Sequence, residues 1–275
     1  MPGMSPSNAG PATGPGANPA PRRIILALPA YNEAENLRPL LAKARETFAA
    51  MGVRHDIVVV DDGSTDATPA VLAELAAAAP ADAPLHIVTH APNRGLGGAI
   101  VSGLKRSLEL LDADPPADGR HAIVVCMDAD DTHDPGYIPG MADKIWADTA
   151  DIVIASRFRE GSKEVGVPFG RLVLSRGARL LFRIFLRLPD VRDYTCGYRA
   201  YRVSLLRDAA AKYGDRLVTR QGFACTDEIL VKLSTLTKRI SEVPFVLRYD
   251  KKRTPSKLPL FKTIVETLKM LVFKE

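Results

Sequence analysis

The chain has 275 residues, is 46% hydrophobic and 25% charged, and carries a formal net charge of +5. This is a globular composition, long enough for one sizeable core; aromatic residues at 6% are thin for a base-stacking nucleic-acid surface, and no apolar run reaches the roughly 18 residues that span a bilayer. Three cysteines, Cys126, Cys196 and Cys225, are odd in number and far apart, which gives neither a disulfide framework nor a zinc spacing and favours a reducing compartment.

Residues 1–21 are rich in Pro, Gly, Ala, Ser and Asn and lack both a charged and an apolar signal region, so they are expected to form a disordered tail. Arg23 to Leu28 is an apolar strand that should stop at Pro29. Helical periodicity follows from Glu33 to Met51 through Leu37, Leu40, Leu41, Ala44 and Phe48. Ile57 to Val60 is a second buried strand, ending at Asp61-Asp62-Gly63-Ser64, and Ser64 or Thr65 is the expected cap of a helix through Val71, Leu72 and Leu75. Leu85 to Val88 is a third strand. Asn93-Arg94-Gly95-Leu96-Gly97-Gly98 opens a helix through Ile100, Leu104 and Leu108. These glycines match neither the dinucleotide fingerprint nor the P-loop; they serve either close helix packing or an approach to nucleotide phosphates. Ala122 to Met127 and Ile152 to Ala155 complete five strands. Strands alternating with helices predict an α/β fold with a doubly wound, largely parallel sheet.

Three strand ends carry polar clusters: Pro29 to Glu33, Asp61 to Ser64, and Asp128-Ala129-Asp130-Asp131-Thr132-His133-Asp134. In such a sheet all three gather at the carboxyl edge, where open α/β folds bind ligands. Asp128 and Asp130, two apart, share a face in extended geometry and offer hard oxygen ligands suited to Mg²⁺ or Mn²⁺. A solvated acidic loop is the competing reading. His133 is either a further ligand or a structural histidine.

Charge divides the chain unevenly. Residues 1–156 carry 11 Lys/Arg against 20 Asp/Glu, and residues 157–275 carry 26 against 12. The basic second half implies an anionic partner such as a phosphate or a membrane surface; no nucleic-acid-binding module is recognisable. Within Leu172 to Leu188, Arg176, Arg179, Arg183 and Arg187 share one helical face, with Leu174, Ala178, Leu181, Phe185 and Leu188 near the opposite one. This basic amphipathic pattern fits either a membrane-surface element or a core-packed helix with a solvated face. Phe261 to Glu275 repeats the pattern and is too short to span a bilayer.

Together, Pro29-Ala30-Tyr31-Asn32-Glu33, Val60-Asp61-Asp62-Gly63-Ser64-Thr65-Asp66, Asn93-Arg94-Gly95 and Asp128-Ala129-Asp130 resemble the inverting family 2 glycosyltransferases, which have a GT-A fold. The downstream motifs narrow the resemblance: Ala155-Ser156-Arg157-Phe158, Ser175-Arg176-Gly177-Ala178, Asp193 through Ala200, Glu242-Val243-Pro244 and Ser256-Lys257 resemble the polyprenol-phosphate sugar transferases, the group of the dolichol-phosphate mannose synthases. The similarity runs from about Arg23 to Lys257.

The resemblance implies a GT-A domain over 22–257, with a nucleotide-sugar half (22–156) and an acceptor half (157–257), followed by an amphipathic helix over 258–275. It implies that Pro29, Tyr31, Glu33 and one or both of Asp61 and Asp62 hold base and ribose, whose donors suit carboxylates. Turn formation is the competing role for the two aspartates. Asp128 and Asp130 would hold the metal and through it the donor diphosphate, with Thr132, where relatives carry Gln or Ser, as a candidate third ligand; Asp131, apolar in many relatives, is a departure. Arg157 and Arg176, with Arg171 and Lys257, would hold the acceptor phosphate. Asp193 would orient acceptor or sugar, or else pair with Arg192 or Arg199 as a buried carboxylate. Glu228 would meet sugar hydroxyls, or else, like Asp227, complement the start of a helix.

The implied reaction is metal-dependent transfer of a sugar, mannose favoured, from a nucleotide-sugar to polyprenyl phosphate, with Asp130, Asp193, Arg157 and Arg176 at the chemistry. Alternatives are a UDP-sugar enzyme acting on a hydroxyl acceptor and a non-catalytic binding module. Many relatives continue into transmembrane helices, so the chain resembles the catalytic-domain-only members. It is expected peripherally on the cytoplasmic face of a membrane, there by its own surface or through a small membrane-anchor protein.

Overall fold

A computed structural model describes residues 22–115, 121–186, 188, 190–220, 222 and 224–251. The expected tail over 1–21, the helix over 258–275, Lys257 and Arg187 lie outside the described residues, as does the side chain of Arg171.

Nine strands and seven α-helices follow one another among the described residues: β1 (Arg23–Ala30), α1 (Ala34–Met51), β2 (Arg54–Asp61), α2 (Thr68–Ala77), β3 (Leu85–Thr89), α3 (Gly95–Ala113), β4 (Ala122–Cys126), α4 (Ile138–Trp146), β5 (Ile152–Ser156), β6 (Lys163–Val165), α5 (Phe169–Leu186), β7 (Arg199–Arg202), α6 (Val203–Tyr213), α7 (Ala224–Leu233), β8 (Ile240–Pro244) and β9 (Val246–Arg248). Seven strands form one sheet in the order β3-β2-β1-β4-β7-β5-β8, while β6 and β9 pair separately. All pairings are parallel except those of β7, which runs antiparallel to both β4 and β5.

The doubly wound, largely parallel expectation is borne out. Its cause is visible in the burial of Ile24 to Leu28, Ile57 to Val60, Ile123 to Val125 and Ile152 to Ala155, runs covered on both faces. The sequence reading missed β7, whose Arg-Ala-Tyr-Arg carries no apolar run. Its arginines are buried nevertheless, Arg199 donating to the Thr226 and Tyr194 carbonyls and Arg202 pairing with Asp151.

Two boundaries differ from expectation. β1 continues through Pro29 to Ala30. Ala27 accepts from Met127 N–H on the β4 side, so Pro29, two residues on, turns its missing N–H toward that side, after β4 has ended. α2 begins at Thr68, later than Ser64 or Thr65 would start it. Their side chains are taken elsewhere: Ser64 Oγ accepts from Asn32 N–H, and Thr65 Oγ1 accepts from Asn32 Nδ2 while Thr65 N–H donates to Asn32 Oδ1. The ends of β1 and β2 are thereby joined.

Gly97 accounts for the packing of α3. A Cβ there would stand 2.8 Å from the Arg220 carbonyl oxygen and 3.0 Å from Val218 Cγ1. Close packing is therefore the role this glycine fills. Gly97→Ala is expected to lower stability by about 1–3 kcal/mol through overpacking. Denaturant unfolding measures this, and an unchanged midpoint would show that the 218–220 loop yields freely.

Candidate functional site

β1, β2, β4 and β5 all point the same way, so the segments that follow them share one sheet edge. Because β7 is reversed, the segment that precedes it, Asp193 to Tyr198, reaches that edge too. Topology thus gathers Tyr31, Asp61, Asp62, Asp128, Arg157 and Asp193 from positions scattered along the chain.

At the end of β2, Asp61 Oδ1 accepts from Ser64 N–H at 3.0 Å, the turn-forming role, and both Asp61 and Asp62 are buried. Asp62 Oδ1 is held by His90 Nδ1 and Arg94 N–H. Glu33 Oε2 accepts from Asn36 Nδ2 at 2.7 Å, while its N–H donates to Thr68 Oγ1. Tyr31 and Pro29 lie half-buried beside it.

The turn after β4 is braced from several directions. Asp130 is buried, and its Oδ1 accepts from the Thr132 hydroxyl at 2.6 Å and from Thr132 N–H at 3.2 Å. Asp131 adopts a left-handed φ of 57° and pairs with Lys43 of α1 at 2.6 Å. His133 Nδ1 accepts from Asp128 N–H, while its ring stacks on Tyr198 and meets Phe245 edge-on. This makes His133 structural: with Nδ1 accepting, neutral Nε2 carries the proton and offers no lone pair to a metal. Gly197 lies alongside, where a Cβ would be 4.0 Å from Asp128 Oδ1.

Asp128, with a 35% exposed side chain, and Asp130 fit a hard divalent cation by their all-oxygen chemistry. Among the described residues no group of three or more His, Cys, Asp or Glu side chains is arranged to hold a metal. Such a pair suits a cation that draws its remaining ligands from water and a diphosphate.

Beyond β5 the same edge centres on a buried ion pair. Asp193, with a 0% exposed side chain, takes Arg157 Nε at 2.8 Å, Nη2 at 2.6 Å and N–H at 2.9 Å, and also the Cys196 N–H. Its partner is therefore Arg157, not Arg192 or Arg199. Burial pushes the Asp193 carboxyl up, but the Arg157 guanidinium overrides that and holds it below the ordinary carboxylate range. Next to it, Glu242 of β8 accepts from Arg159 and from the N–H groups of Arg192 and Asp193. Sequence reasoning assigned Glu242 no role; its signal was its place in the Glu242-Val243-Pro244 motif.

α5 departs from the expected face. Phe182 is its buried anchor, stacked on Tyr194 at 5.3 Å, and the Arg179 guanidinium lies 4.7 Å over Phe158. The exposed side instead mixes Arg176 and Arg183 with Leu180 and Ile184, 60% and 55% exposed. Glu228 is buried in the middle of α7, past the first turn that Asp227 occupies, and accepts from Thr219 N–H and Oγ1, Arg220 N–H and Lys232. It thus fixes the 219–220 loop.

The Glycosyl transferase family 2 pattern matches residues 26–209. The chain belongs to glycosyltransferase family 2. This glycosyltransferase is 34% identical over 224 residues to an undecaprenyl-phosphate mannosyltransferase of Micrococcus luteus, covering 81% of this chain and 82% of that one. It is 32% identical over 248 residues to a dolichol-phosphate mannosyltransferase of Pyrococcus furiosus, covering 90% of this chain and 62% of the relative's length. Among solved structures it is similar to the glucosyl-3-phosphoglycerate synthase from Mycobacterium tuberculosis in complex with Mn²⁺, UDP-glucose and phosphoglyceric acid, with a TM-score of 0.62 at 19% identity over 92% of this chain and 79% of that chain. That likeness is one of fold.

Removing Arg157 would strand the buried carboxylate, at a cost of about 3–5 kcal/mol for Arg157→Ala. Wild-type Asp193, its pKa depressed, contributes stability that is present above the unfolded value of about 4 and lost as pH falls through the folded one. Without the guanidinium, burial raises the folded pKa, so the variant's deficit grows as pH climbs above about 4. Unfolding measured at mildly acid and at neutral pH should show the larger deficit at neutral pH. Equal deficits would mean that an ionised Asp193 is not the cause.

Proposed function

We propose that this glycosyltransferase moves a sugar, mannose in first place, from a nucleoside-diphosphate sugar to the phosphate of a polyprenyl lipid, inverting the anomeric centre. The identity of 32–34% to two polyprenol-type phosphate mannosyltransferases carries this reading. The geometry supports it, because an acidic edge at Asp128 and Asp130 adjoins a cationic one at Arg157.

In this reading Pro29, Tyr31, Glu33, Asp61 and Asp62 surround base and ribose. Asp128 and Asp130 would hold Mg²⁺ or Mn²⁺, with the Thr132 hydroxyl orienting Asp130. A cation held there would supply positive charge to offset that of a nucleoside diphosphate leaving group. Arg157 receives the acceptor phosphate, with Arg176, Arg171 and Lys257 in support. Asp193 already engages Arg157 Nε and Nη2, so the phosphate is expected at Nη1.

A phosphate monoester has a second pKa of about 6, so at neutral pH it is largely a dianion and needs no general base. Its oxygen forms the bond to the anomeric carbon while the bond from that carbon to the diphosphate oxygen breaks, the electron pair leaving with the nucleoside diphosphate. The side chains supply alignment and relief of repulsion between two anions.

Among the described residues no helix is long and apolar enough to cross a membrane. The exposed face of α5 is suited to lie on one: Leu180 and Ile184 would enter the acyl boundary, and Arg176 and Arg183 would meet anionic headgroups. The reading puts the enzyme peripherally on a cytoplasmic face, in keeping with three buried free thiols.

Purified protein with Mn²⁺, a short polyprenyl phosphate and a panel of nucleotide-sugars should yield lipid-linked sugar from one donor. Asp130→Ala should remain folded and lose at least about a hundredfold in turnover. Donor hydrolysis without lipid product would point to another acceptor and sink the proposal. In a detergent-free flotation assay with anionic vesicles, Leu180→Asp/Ile184→Asp should shift the protein from the floated to the soluble fraction. Unchanged flotation would remove α5 from the membrane contact.

A further inference from the structure

The loop from His90 to Arg94 closes over the end of β2. His90 N–H donates to the Asp61 carbonyl at 2.9 Å, and Asn93 Nδ2 donates to the Asp62 carbonyl at 2.5 Å. The Asp62 carboxylate takes two donors on one oxygen: His90 Nδ1 at 2.6 Å and Arg94 N–H at 2.8 Å. On the other side of the ring, His90 Nε2 lies 2.9 Å from Ser102 Oγ, in α3. His90 and Asp62 are both buried.

An ionised carboxylate only accepts, so Nδ1 carries a proton, and in the neutral ring Nε2 accepts from the Ser102 hydroxyl. The order serine, histidine, aspartate matches that of an acyl-transfer triad. Ser102, however, sits inside α3, where the backbone N–H groups around it belong to the helix ladder, and α3 offers no oxyanion site for such chemistry. The three groups therefore act as a brace. The brace links the end of β2 to α3, the same helix whose Gly97 packs on the 218–220 loop.

We propose that His90 is a positioning residue for the donor nucleotide: it fixes the Asp62 carboxylate at the end of β2 and ties that position to α3 through Ser102. This rests on the reading of Asp62 as a contact to base or ribose. A short acidic side chain otherwise samples several rotamers, and a ligand that must select one binds more weakly. Because Oδ1 takes both protein donors, the ligand's N–H or O–H is expected at Oδ2.

The full chain would be titrated with GDP and with UDP in the presence of Mn²⁺ by calorimetry, beside thermal unfolding of each variant. His90→Leu is expected to raise the Kd of the preferred nucleotide about tenfold or more, the loss of one charge-assisted hydrogen bond. Its kcat at saturating donor should stay within about twofold, the signature of lost binding that the transition state does not add to. His90→Asn keeps an amide donor toward Asp62 and should recover most of the affinity. A folded His90→Leu with wild-type Kd overturns the proposal, as does equal weakening in the Leu and Asn variants. Should His90→Leu fail to fold, Ser102→Ala carries the test: a rise of a few fold in Kd supports the brace, and an unchanged Kd overturns it. A wild-type chain that binds no nucleoside diphosphate would bring down the donor reading itself; wild-type binding with indifferent His90 variants would bring down this inference alone.

Discussion

The pairing of Asp193 with Arg157 is the interaction on which the sheet edge between β5 and β7 turns. A carboxylate with no exposed surface is tolerable only when its oxygens are met, and here three donors from Arg157 and the Cys196 N–H meet them. Such a pair adds little net stability, because desolvation offsets most of its attraction. What it secures is geometry. The segment after β5 and the segment before β7 cannot separate without exposing one charge and stranding the other. Glu242 extends the constraint to β8 by holding Arg159 and the backbone of Arg192 and Asp193.

The edge that follows β1, β2 and β4 is built by a different means. Its polar groups are held chiefly by neutral side chains and backbone: Ser64 and Thr65 on Asn32, Thr68 on Glu33, Thr132 on Asp130. Carboxylates oriented this way keep their charge for a cation or a ligand donor. The excess of acid in residues 1–156 and of base in residues 157–275 is the sequence image of this division. In the proposed reaction between two anions, such a division would let each be offset separately before they meet.

Much of this was legible in advance. Runs such as Ile57 to Val60 declare buried parallel strands, and the polar clusters after them declare the edge at which a site forms. What escaped was set by long-range partners. β7 is hidden because Arg199 and Arg202 are buried through partners, the Thr226 carbonyl and Asp151, that lie far off in sequence. The start of α2 moved because Ser64 and Thr65 cap the neighbouring loop. Helical periodicity placed Arg176 and Arg183 together correctly, but it could not say that Phe182, which the pattern put on neither face, is the residue that packs, against Tyr194. The partner of Asp193 was misread for the same reason: Arg192 and Arg199 are near in the chain, while Arg157 is near in space. His90 gave no signal, because an isolated histidine after a strand has many possible uses.

The reversed strand β7 also governs how the chain can be made. Ile123 pairs with Arg202, and Ile152 pairs with Tyr201, so β4 and β5 meet only through a strand synthesised well after both. Until it arrives, β4 and β5 each present an open edge of unpaired backbone. Loop-closure entropy must be met before those pairings return any stability, which makes this a high-contact-order, slow step. A fragment ending after β5 would hold Asp61, Asp62, Asp128 and Asp130 and still lack the strand that seals its sheet. Such a fragment would be an aggregation-prone species, not a minimal nucleotide-binding unit.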